Sequence, residues 1–475
     1  MSDVLLVNSP VKDAEADQHN RMCPPLGLGY IAAVLIQNDY KVDALDLNIP
    51  NIDINLTDPY FLRTIDTKIH EAYLNSFNSL RNVIMQEKPS IVGISAHTGT
   101  FSNALKIAEM AKEVNPDVVV VIGGPHVTFR PEDALSSKSV DFVVRGEGEF
   151  TMLELTNHLL RGRGDIKEIK GISFKHEETG IKSNPARPLI QNLDVLPYPA
   201  RQLFRLKLYP YSGSVSSARG CPYQCIFCAA RAMSGGRYRI RTAENILGEL
   251  TSLYNDFGIR YFNFIDDTFA VSAERAVKIC DLIKESHMDV SWACSTRVNT
   301  VNEKLLELMA KSGCNNILFG AESGVQSILN KLCKGTTVEQ IRKVVKWCIS
   351  FGISPTLSFM APHPWDTLET VEETAKFMRE LLDLGVNSGV PTKWGVTVTL
   401  AVTTPFPGTY LYENAEKLGL TFTSRNWEDY DCGTPVFYTK NLPKEDVSKA
   451  IKNVENLLNK SSAVTSSKTR FRLQT

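Results

Sequence analysis

Three closely spaced cysteines are the residues of this chain with the clearest chemistry. Cys221, Cys225 and Cys228 lie in the segment Arg-Gly-Cys-Pro-Tyr-Gln-Cys-Ile-Phe-Cys, which follows an apolar stretch. Four-iron clusters normally take four cysteine ligands, so three thiolates leave one iron open to a small molecule. A metal site performs chemistry at such an open position. The spacing therefore predicts a catalytic iron-sulfur cluster.

Two other interpretations of the triplet compete with the cluster. Positions i, i+4 and i+7 would also share one face of a helix, where free cysteines pack as small hydrophobic residues. Gly220 and Pro222 argue against that helix. Structural zinc takes four ligands, and the chain has no second Cys-x-x-Cys or His-x-x-x-His pair to complete such a site. We therefore favour a loop that holds a cluster over zinc or a packed core.

The pattern Cys-x-x-x-Cys-x-aromatic-Cys, with Phe227 in the aromatic position, resembles the signature of the radical S-adenosylmethionine (SAM) superfamily. The resemblance implies that Cys221, Cys225 and Cys228 hold a [4Fe-4S] cluster whose open iron chelates SAM, with Phe227 beside this cofactor. It also implies that one electron from an external donor cleaves SAM. The resulting 5′-deoxyadenosyl radical then abstracts an unreactive hydrogen.

The composition narrows the choice of partners and compartment. The chain has 475 residues, room for two or three domains, and 52 basic against 53 acidic residues, so bulk charge favours neither nucleic acid nor an acidic membrane. Apolar runs such as 118–122 are too short to cross a bilayer, and the N-terminus has no basic-then-apolar signal. Ten cysteines, scattered except for the triplet, are typical of a reducing compartment. We expect a soluble cytoplasmic protein of an anaerobic host.

The first 160 residues alternate short β-rich runs with helical patterns. This alternation predicts an α/β fold with a doubly wound parallel sheet. Two predicted helices run from Leu28 to Gln37 and from Ser102 to Val114. The predicted strands are Asp3 to Val7, Lys41 to Asp46, Ile91 to Ser95, Val118 to Ile122 and Phe142 to Val144.

Polar or glycine-rich segments follow several of these strands, at the edge where open sheets of this kind bind ligands. No Gly-x-Gly-x-x-Gly follows the first strand, which argues against a dinucleotide site. The segments are Asn8-Ser9-Pro10, Ser95-Ala96-His97-Thr98, Gly123-Gly124-Pro125-His126-Val127-Thr128 and Gly146-Glu147-Gly148-Glu149.

These segments, with the Pro24-Pro25-Leu26-Gly27-Leu28 turn, resemble the cobalamin-binding domain of class B radical SAM enzymes. The resemblance covers nearly the whole N-terminal third and implies a Rossmann-like cobalamin domain. The cobalamin contacts that it implies are Leu26, Ser95, Thr98, Gly123, Gly124, His126, Val127, Thr128, Gly146, Glu147 and Gly148.

One motif of other cobalamin proteins is missing from the sequence. The chain has no Asp-x-His-x-x-Gly, whose histidine would bind cobalt from below. The resemblance therefore implies base-off cobalamin without a histidine ligand. His97 and His126 are candidates for contacts with the corrin ring, its nucleotide tail or the cobalt itself. A lone histidine near a turn is more often an ordinary hydrogen-bonding residue.

A second alternation of strands and helices follows a proline-rich connector at 164–210. Its six βα units predict a partial (βα)6 barrel, and barrel active sites form at the carboxyl ends of the strands. The cysteine loop follows the first of these strands. The predicted strands are Gly213 to Ala218, Tyr261 to Ile265, Val290 to Ser295, Asn315 to Gly320, Pro355 to Phe359 and Val396 to Val402.

These patterns divide the chain into four parts. They are a cobalamin-binding domain (1–163), the connector (164–210), a radical SAM barrel (211–410) and a C-terminal region (411–475). Predicted barrel helices include Glu303 to Lys311 and Glu339 to Phe351. In the C-terminal region we expect one helix, Lys444 to Leu458, and a disordered polar end.

The other barrel strands end in residues that could contact SAM. In the radical SAM family a Gly-x-Glu-Ser segment does so, which implies that Glu322 accepts from the ribose hydroxyls and that Ser323 lies beside it. A strand-end salt bridge is the alternative for Glu322. Arg297 could bind the SAM carboxylate in a planar fork or form a structural ion pair. Further candidates at strand ends are Asp266, Asp267, Thr403, Thr404 and Pro405.

The turn after the fifth barrel strand departs from the family pattern. Many relatives have Gly-x-Pro-Gly-Glu-Thr there, whereas this chain has Ala361-Pro362-His363-Pro364-Trp365-Asp366-Thr367. His363 and Trp365 could face the substrate, or the prolines could stiffen the loop.

Cobalamin beside a radical generator points to methyl transfer from methylcobalamin to an unactivated carbon. In the scheme that the resemblance implies, one SAM methylates cobalamin and a second yields the radical. A ring-forming or rearranging enzyme of the anaerobic magnesium-protoporphyrin ester cyclase type shares every motif and is the main alternative. A methylthiotransferase needs three N-terminal cysteines, and only Cys23 precedes residue 221. An electron carrier or a cobalamin-binding regulator is the non-enzyme alternative.

The substrate has no signature in the sequence. The small C-terminal region weakly favours a peptide or protein side chain.

Overall fold

The computed structural model describes residues 2–11, 23–49, 77–176, 180–459 and 470–474. The chain forms two compact units. The first unit comprises Met1–Gln191 and Val195–Ser212, and the second comprises Asn192–Asp194 and Gly213–Thr475.

The first unit has a seven-stranded sheet in the order β2-β1-β3-β4-β5-β6-β7. Strands β1 to β5 pair in parallel, and β6 and β7 pair antiparallel at the edge. The strands are β1 Val4–Asn8, β2 Val42–Asp46, β3 Ile91–Ser95, β4 Val119–Gly123, β5 Phe142–Val144, β6 Ile172–His176 and β7 Gly180–Ser183. The helices are α1 Leu26–Gln37, α2 over 77–87, α3 Phe101–Val114, α4 Pro125–Phe129, α5 Pro131–Leu135 and α6 Glu149–Arg161.

The strand order 2-1-3-4-5 is a common doubly wound order, and it confirms the predicted architecture. Buried apolar runs explain it, since parallel strands are covered by helices on both faces. In β1, for example, the four residues from Val4 to Val7 are at most 1% exposed. The strand order reverses between β1 and β3, so their carboxyl ends flank the crevice where such sheets bind ligands.

Apart from residues 192–194, the predicted connector belongs to the first unit, and part of it forms regular strands. Its residues form β6 and β7, which cover the free edge of β5. Ile172 and Phe174 of β6 are buried, as are Phe204 and Tyr209 further along. The prolines around these residues hide the short strands from a periodicity analysis.

The second unit is built on a parallel sheet in the order β18-β15-β14-β13-β12-β11-β8. It confirms the partial (βα)6 barrel and adds a seventh strand, β18. The strands are β8 Gly213–Val215, β9 Ala218–Arg219, β10 Arg239–Ile240, β11 Tyr261–Phe264, β12 Ser291–Thr296, β13 Cys314–Glu322, β14 Ser354–Met360, β15 Thr397–Ala401, β16 Thr421–Phe422, β17 Phe437–Tyr438 and β18 Arg470–Gln474.

Side-chain caps fix where several barrel helices begin. Thr242, Ser272, Asn302, Thr337 and Thr367 each accept a hydrogen bond from a backbone N–H in the first turn of the following helix. The helices are α7 Ala229–Ser234, α8 Ala243–Asp256, α9 Ala273–Glu285, α10 Glu303–Lys311, α11 Gln326–Lys331, α12 Val338–Ser350, α13 Leu368–Asn387, α14 Tyr410–Glu413 and α15 Lys444–Asn459.

The C-terminal end differs in part from the expectation of disorder. Residues 470–474 form β18, which pairs in parallel with β15, so the expectation is wrong for these five residues. Residues 460–469 and 475 lie outside the described residues. Among the helices that the structure describes, none is long and apolar enough to span a membrane.

Trp292 in β12 anchors the barrel core beneath the strand ends. It is fully buried, it packs against Phe264 and Phe269, and its indole N–H donates to the Ser312 carbonyl at 2.9 Å. These contacts fix β12, which leads directly to Arg297.

Replacing this indole tests the packing. Trp292→Ala should lower the free energy of unfolding of the full chain by about 3–5 kcal/mol, because it opens a large cavity. Chemical denaturation followed by circular dichroism measures the change. The control, Ile240→Ala, alters a side chain that is 44% exposed. The control should change the value by less than about 0.5 kcal/mol, and a similarly small effect of Trp292→Ala would contradict the core assignment.

Candidate active site

The three cysteines of the predicted cluster lie in a loop, residues 220–228, between β9 and α7. Gly220 begins it with a φ of 86°, and a Cβ there would lie 2.1 Å from the carbonyl oxygen of Arg237. Only glycine fits this position. The Gly220 N–H donates to the Asp267 carboxylate at 3.1 Å. The structure thus confirms a loop rather than a helix, and it assigns Asp267 to holding the start of that loop.

Asp266, the other acidic candidate at the end of β11, supports the base of the same loop. It is buried and accepts from the backbone N–H groups of Ser217 and Ala218 at 2.6 and 3.0 Å. Arg275 lies 3.5 Å from it as a buried counter-charge. Burial raises the pKa of Asp266, which these donors and Arg275 oppose. Asp266 is therefore engaged within the protein and serves the loop structurally.

The middle of the loop is held from two sides through its backbone. The Ile226 N–H donates to the Leu332 carbonyl at 3.2 Å, and the Leu411 N–H donates to the Ile226 carbonyl at 2.9 Å. Phe227, the predicted aromatic contact of SAM, packs against two apolar clusters. One contains Leu411 and Tyr430, and the other contains Val325, Ile328 and Leu332. The region after residue 410 therefore takes part in holding the loop.

The three thiols are neighbours without converging on one point. Burial raises the pKa of Cys228 to about 11, and the nearby Asp267, Cys225 and Cys221 add to this effect. No group of three His, Cys, Asp or Glu side chains in the described part of the chain converges as a single-ion site. Zinc needs four such ligands, whereas a cluster assigns each thiolate to a different iron. The donor set therefore fits a cluster, whose iron would hold the cysteines as thiolates.

Four other cysteines of the second unit are core residues. Cys280, Cys294, Cys314 and Cys348 are buried. Burial raises the pKa of Cys280 to about 12 and also raises the pKa values of Cys314 and Cys348. Such thiols stay protonated and inert.

Glu322 ends β13 in an ion pair. Its Oε1 accepts from Lys334 Nζ at 2.6 Å, and both side chains are buried. A Cβ at Gly320 would lie 2.3 Å from that carboxylate oxygen, so glycine leaves the room for the pair. The salt-bridge alternative for Glu322 is thus present in the structure. Its contact with the SAM ribose stays a prediction.

His363 is buried and joins two strand ends. Its Nε2 lies 3.4 Å from the Glu322 carbonyl, and its Nδ1 lies 3.3 Å from Thr403 Oγ1. The Thr404 hydroxyl donates to the Val402 carbonyl at 3.1 Å. The Ser323 hydroxyl lies 3.2 Å from Thr374 Oγ1. These groups position the end of β13. Trp365 is half-buried and packs against the cluster that contains Val325.

Arg297 follows β12 and is 5% exposed. Its guanidinium donates to Cys225 Sγ at 3.3 Å and stacks on the Tyr223 ring, 3.9 Å from the centroid. Its predicted contact with the SAM carboxylate stays a prediction.

Hydrogen bonds connect the strand ends of the first unit. The Ser9 N–H donates to Ser95 O at 3.1 Å, and the Ala96 N–H donates to Gly123 O at 2.9 Å. Thr128 then bridges β4 and β5: its Oγ1 donates to Gly124 O at 2.8 Å and accepts from the Gly146 N–H at 2.9 Å. The predicted cobalamin contacts Ser95, Gly123, Gly124, Thr128 and Gly146 therefore share one carboxyl edge.

Glycines keep this edge flat. Gly124 has a φ of 114°, and a Cβ there would lie 2.3 Å from the Ala96 carbonyl oxygen. At Gly27 and Gly146 a Cβ would meet no atom within 4 Å. An edge of bare backbone beside open space fits a large planar group such as a corrin ring.

His126 is buried in the same edge, where each ring nitrogen lies close to a protein oxygen. Nδ1 lies 3.3 Å from Thr98 Oγ1, and Nε2 lies 3.2 Å from the Asp133 carboxylate. The ring also packs against Phe101, with centroids 4.2 Å apart. His126 thus ties the segment after β3 to α5, which is the ordinary hydrogen-bonding role left open by the sequence. His97 begins the 3₁₀ turn of residues 98–100.

The remaining predicted cobalamin residues serve mainly to shape the edge. Leu26 and Val127 are buried. Glu147 accepts from the Ile190 N–H at 2.8 Å. Gly148 precedes α6, where a Cβ would lie 3.0 Å from Ile31.

Two family profiles match the chain. The radical SAM superfamily profile matches residues 215–378, which contain the cysteine loop and Glu322. The B12 binding domain profile matches residues 20–156, which contain β2 to β5.

Curated relatives match nearly the whole chain. An uncharacterized methyltransferase of Pyrococcus horikoshii is 36% identical over 454 residues, covering 94% of this chain and 90% of the relative. The anaerobic magnesium-protoporphyrin IX monomethyl ester cyclase of Rubrivivax gelatinosus is 28% identical over 425 residues, covering 87% of this chain and 69% of that protein. This chain belongs to the class B, cobalamin-dependent radical SAM methyltransferase family.

Solved structures of class B radical SAM enzymes share the fold. The cobalamin-dependent radical enzyme OxsB matches with a TM-score of 0.72 at 19% identity, covering 95% of this chain and 66% of OxsB. The radical SAM methyltransferase TsrM of Kitasatospora setae matches with a TM-score of 0.70 at 18% identity, covering 99% of this chain and 91% of TsrM. This protein is therefore an enzyme whose cofactors are a [4Fe-4S] cluster, SAM and cobalamin.

Sequence reasoning missed several residues around the class B site. Lys334 and the backbone of Leu411 lie outside the family motifs, and Tyr223 occupies an unspecified position within the cysteine motif. All three act through contacts distant in sequence. The one local sequence feature that could have pointed to Lys334 as a site residue is the Lys-Gly pair at 334–335, just before the capped α12.

Replacing one loop cysteine tests the cluster assignment. Cys225→Ala should abolish cluster assembly, because two thiolates cannot hold the cubane. Iron and sulfide content and the visible absorbance after anaerobic reconstitution measure this. The matched control, Cys348→Ala, removes a buried core thiol and should retain the wild-type iron content. Equal iron content in Cys225→Ala and the wild type would contradict the assignment.

Replacing His126 tests the open question of the cobalt ligand. His126→Ala should weaken cobalamin binding by about tenfold, because the loss of its buried hydrogen bonds costs about 1–3 kcal/mol. The electron paramagnetic resonance spectrum of bound cobalt(II) should stay unchanged, since each ring nitrogen already lies within 3.3 Å of a protein oxygen. His158→Ala, on α6, is the control for both measurements. A changed cobalt spectrum in His126→Ala alone would instead identify the histidine as a ligand.

Proposed function

We propose that this enzyme transfers a methyl group to an unactivated carbon, with cobalamin as the methyl carrier. The observation that carries the proposal is the presence, in one chain, of a three-thiol loop and a flat glycine edge that fits a corrin ring. The relative with 36% identity over nearly the whole chain bears the name methyltransferase, which supports the same reaction type.

When bound, the cluster with SAM supplies a hydrogen-abstracting 5′-deoxyadenosyl radical, and cobalamin supplies the methyl group. The task of the protein is placement, because a misplaced radical is lost to side reactions. Cys221, Cys225 and Cys228 would hold three irons. The hydrogen bond from Gly220 to the Asp267 carboxylate and the backbone bonds of Ile226 would keep these thiols in place.

The Glu322–Lys334 pair would orient the ribose of SAM. Lys334 fixes one carboxylate oxygen of Glu322, so the other is directed toward a donor such as a hydroxyl. His363 Nε2 lies 3.4 Å from the Glu322 carbonyl and would help to hold its backbone. Together these contacts would keep the buried carboxylate oriented.

Thr98 Oγ1 and the Asp133 carboxylate lie 3.3 and 3.2 Å from the two ring nitrogens of His126. We therefore propose that the first unit binds cobalamin through its backbone edge and offers no imidazole to cobalt from this position.

A ring-closing reaction is the second candidate. The cyclase of Rubrivivax gelatinosus is 28% identical over 87% of this chain, and every motif described above is compatible with it. The reaction products separate the two functions, because a cyclase turns over SAM to 5′-deoxyadenosine without consuming a methyl group.

The proposal also includes a substrate class, an electron donor and a cellular location. We keep a peptide or protein side chain as one substrate class and small molecules such as porphyrins as the other. An external one-electron donor and a cytoplasmic location suit the cluster and the ten free thiols.

Product analysis tests the methyltransferase function. The enzyme is reconstituted anaerobically with iron, sulfide and hydroxocobalamin, reduced, and given SAM with a deuterated methyl group. Mass spectrometry should detect both 5′-deoxyadenosine and S-adenosylhomocysteine, with the label on cobalamin. Cys225→Ala should form no 5′-deoxyadenosine. The product 5′-deoxyadenosine without S-adenosylhomocysteine would favour the cyclase, and neither product from an intact cluster would contradict both functions.

A further inference from the structure

Arg297 makes a contact that its predicted role does not explain. Its Nη1 lies 3.3 Å from the sulfur of Cys225, the most buried of the three loop cysteines. A guanidinium N–H at this distance from sulfur is a charge-assisted hydrogen bond once the cysteine is a thiolate. The contact joins the end of β12 to the cysteine loop across 72 residues of sequence.

Every part of the guanidinium is held in place. Nη2 donates to the Lys334 carbonyl, and Nε donates to Asn299 Oδ1 at 3.1 Å. One face stacks on the Tyr223 ring, with the guanidinium carbon 3.9 Å from the centroid. With Nη1 on the sulfur, the planar fork is already committed to protein groups. It is therefore poorly arranged to bind a ligand carboxylate in the bidentate manner that arginine favours.

The charge of Arg297 has no acidic partner in the described residues. The buried pairs of the second unit match Arg275 with Asp266, Arg241 with Glu249 and Lys334 with Glu322. In the described ranges no carboxylate lies within ion-pair distance of Arg297, although the residue is only 5% exposed. A buried cation requires a counter-charge. The sulfur of Cys225, which an iron of the cluster would hold as a thiolate, lies 3.3 Å from Nη1 and is positioned to supply it.

We propose that Arg297 is a positioning residue that raises the reduction potential of the cluster through its hydrogen bond to Cys225 Sγ. The bound cluster accepts one electron from an external low-potential donor, which is oxidised by one electron, and the cluster becomes more negative by one unit. A fixed positive donor on a ligand sulfur stabilises this more negative state. Hydrogen bonds to sulfurs and burial are known determinants of cluster potentials.

The proposal separates two jobs that one arginine could perform. A ligand for the SAM carboxylate would matter only when SAM is present. A donor to Cys225 alters the cluster in the absence of SAM. The inference rests on the cluster and holds for whichever carbon the enzyme methylates.

The test is a redox titration of the reconstituted full chain without SAM, monitored by electron paramagnetic resonance. Iron and sulfide content first establishes that each variant carries the cluster. In Arg297→Met the ratio of reduced to oxidised cluster at the wild-type midpoint should fall about tenfold, which corresponds to about 59 mV for a one-electron couple. Arg297→Lys keeps the charge without the fork and should shift the ratio less.

Asn299→Ala is the matched control. It removes the partner of Nε and the bond from Asn299 to Gly335 O, but it leaves the Nη1–sulfur contact. If Arg297 acts through the sulfur, Asn299→Ala keeps the wild-type midpoint.

Three outcomes would overturn the proposal. One is an unchanged midpoint in an Arg297→Met protein with full cluster content. Another is an equal shift in Asn299→Ala, which would assign the effect to loop structure. The third is a weaker SAM affinity in Arg297→Met with no change in midpoint, which would return the residue to the SAM carboxylate. If Arg297→Met fails to assemble a cluster, Arg297→Lys is titrated in its place. The expected result there is a smaller downward shift than about 59 mV, and an unchanged midpoint would also overturn the proposal.

Discussion

Concentrated negative charge at one face of the second unit is the constraint on which its site depends. The three loop cysteines, Asp266, Asp267 and Glu322 are grouped around this loop, and burial raises the pKa values of Cys228, Asp266 and Asp267. Buried cations from different parts of the second unit lie beside these groups. Arg275 faces Asp266, Lys334 faces Glu322 and Arg297 faces Cys225. The strand ends are therefore ordered by charge compensation as much as by packing.

The first unit solves a different problem with different means. A large planar cofactor needs surface contact rather than a few strong ligands. The carboxyl edge of the sheet in the first unit consists mainly of backbone and small side chains. Hydrogen bonds between neighbouring segments, made by Thr128, Thr98 and His126, fix this edge before a ligand binds. The glycines then leave room at the surface. Rigidity in one unit thus comes from neutral hydrogen bonds, and in the other from paired charges.

Periodicity and motifs predicted the strands, the barrel and the cysteine loop because these depend on local sequence. The five predicted strands of the first sheet begin and end within one residue of those observed. Pairing between distant segments was not predictable. β6 and β7 lie among prolines, and Lys334 reaches Glu322 from a loop without a motif. Asp266 and His363 have the residue types of active sites, yet their hydrogen bonds join strands and loops.

The bond from the Leu411 N–H to the Ile226 carbonyl makes the C-terminal region a structural part of the metal loop. A boundary drawn after the sixth barrel strand would cut this bond and remove one of the two apolar clusters that enclose Phe227. Evolutionary exchange or laboratory recombination of this region would therefore change the setting of the cluster along with it. Chimeric enzymes built from this family should inherit the barrel and the segment after residue 410 from the same parent.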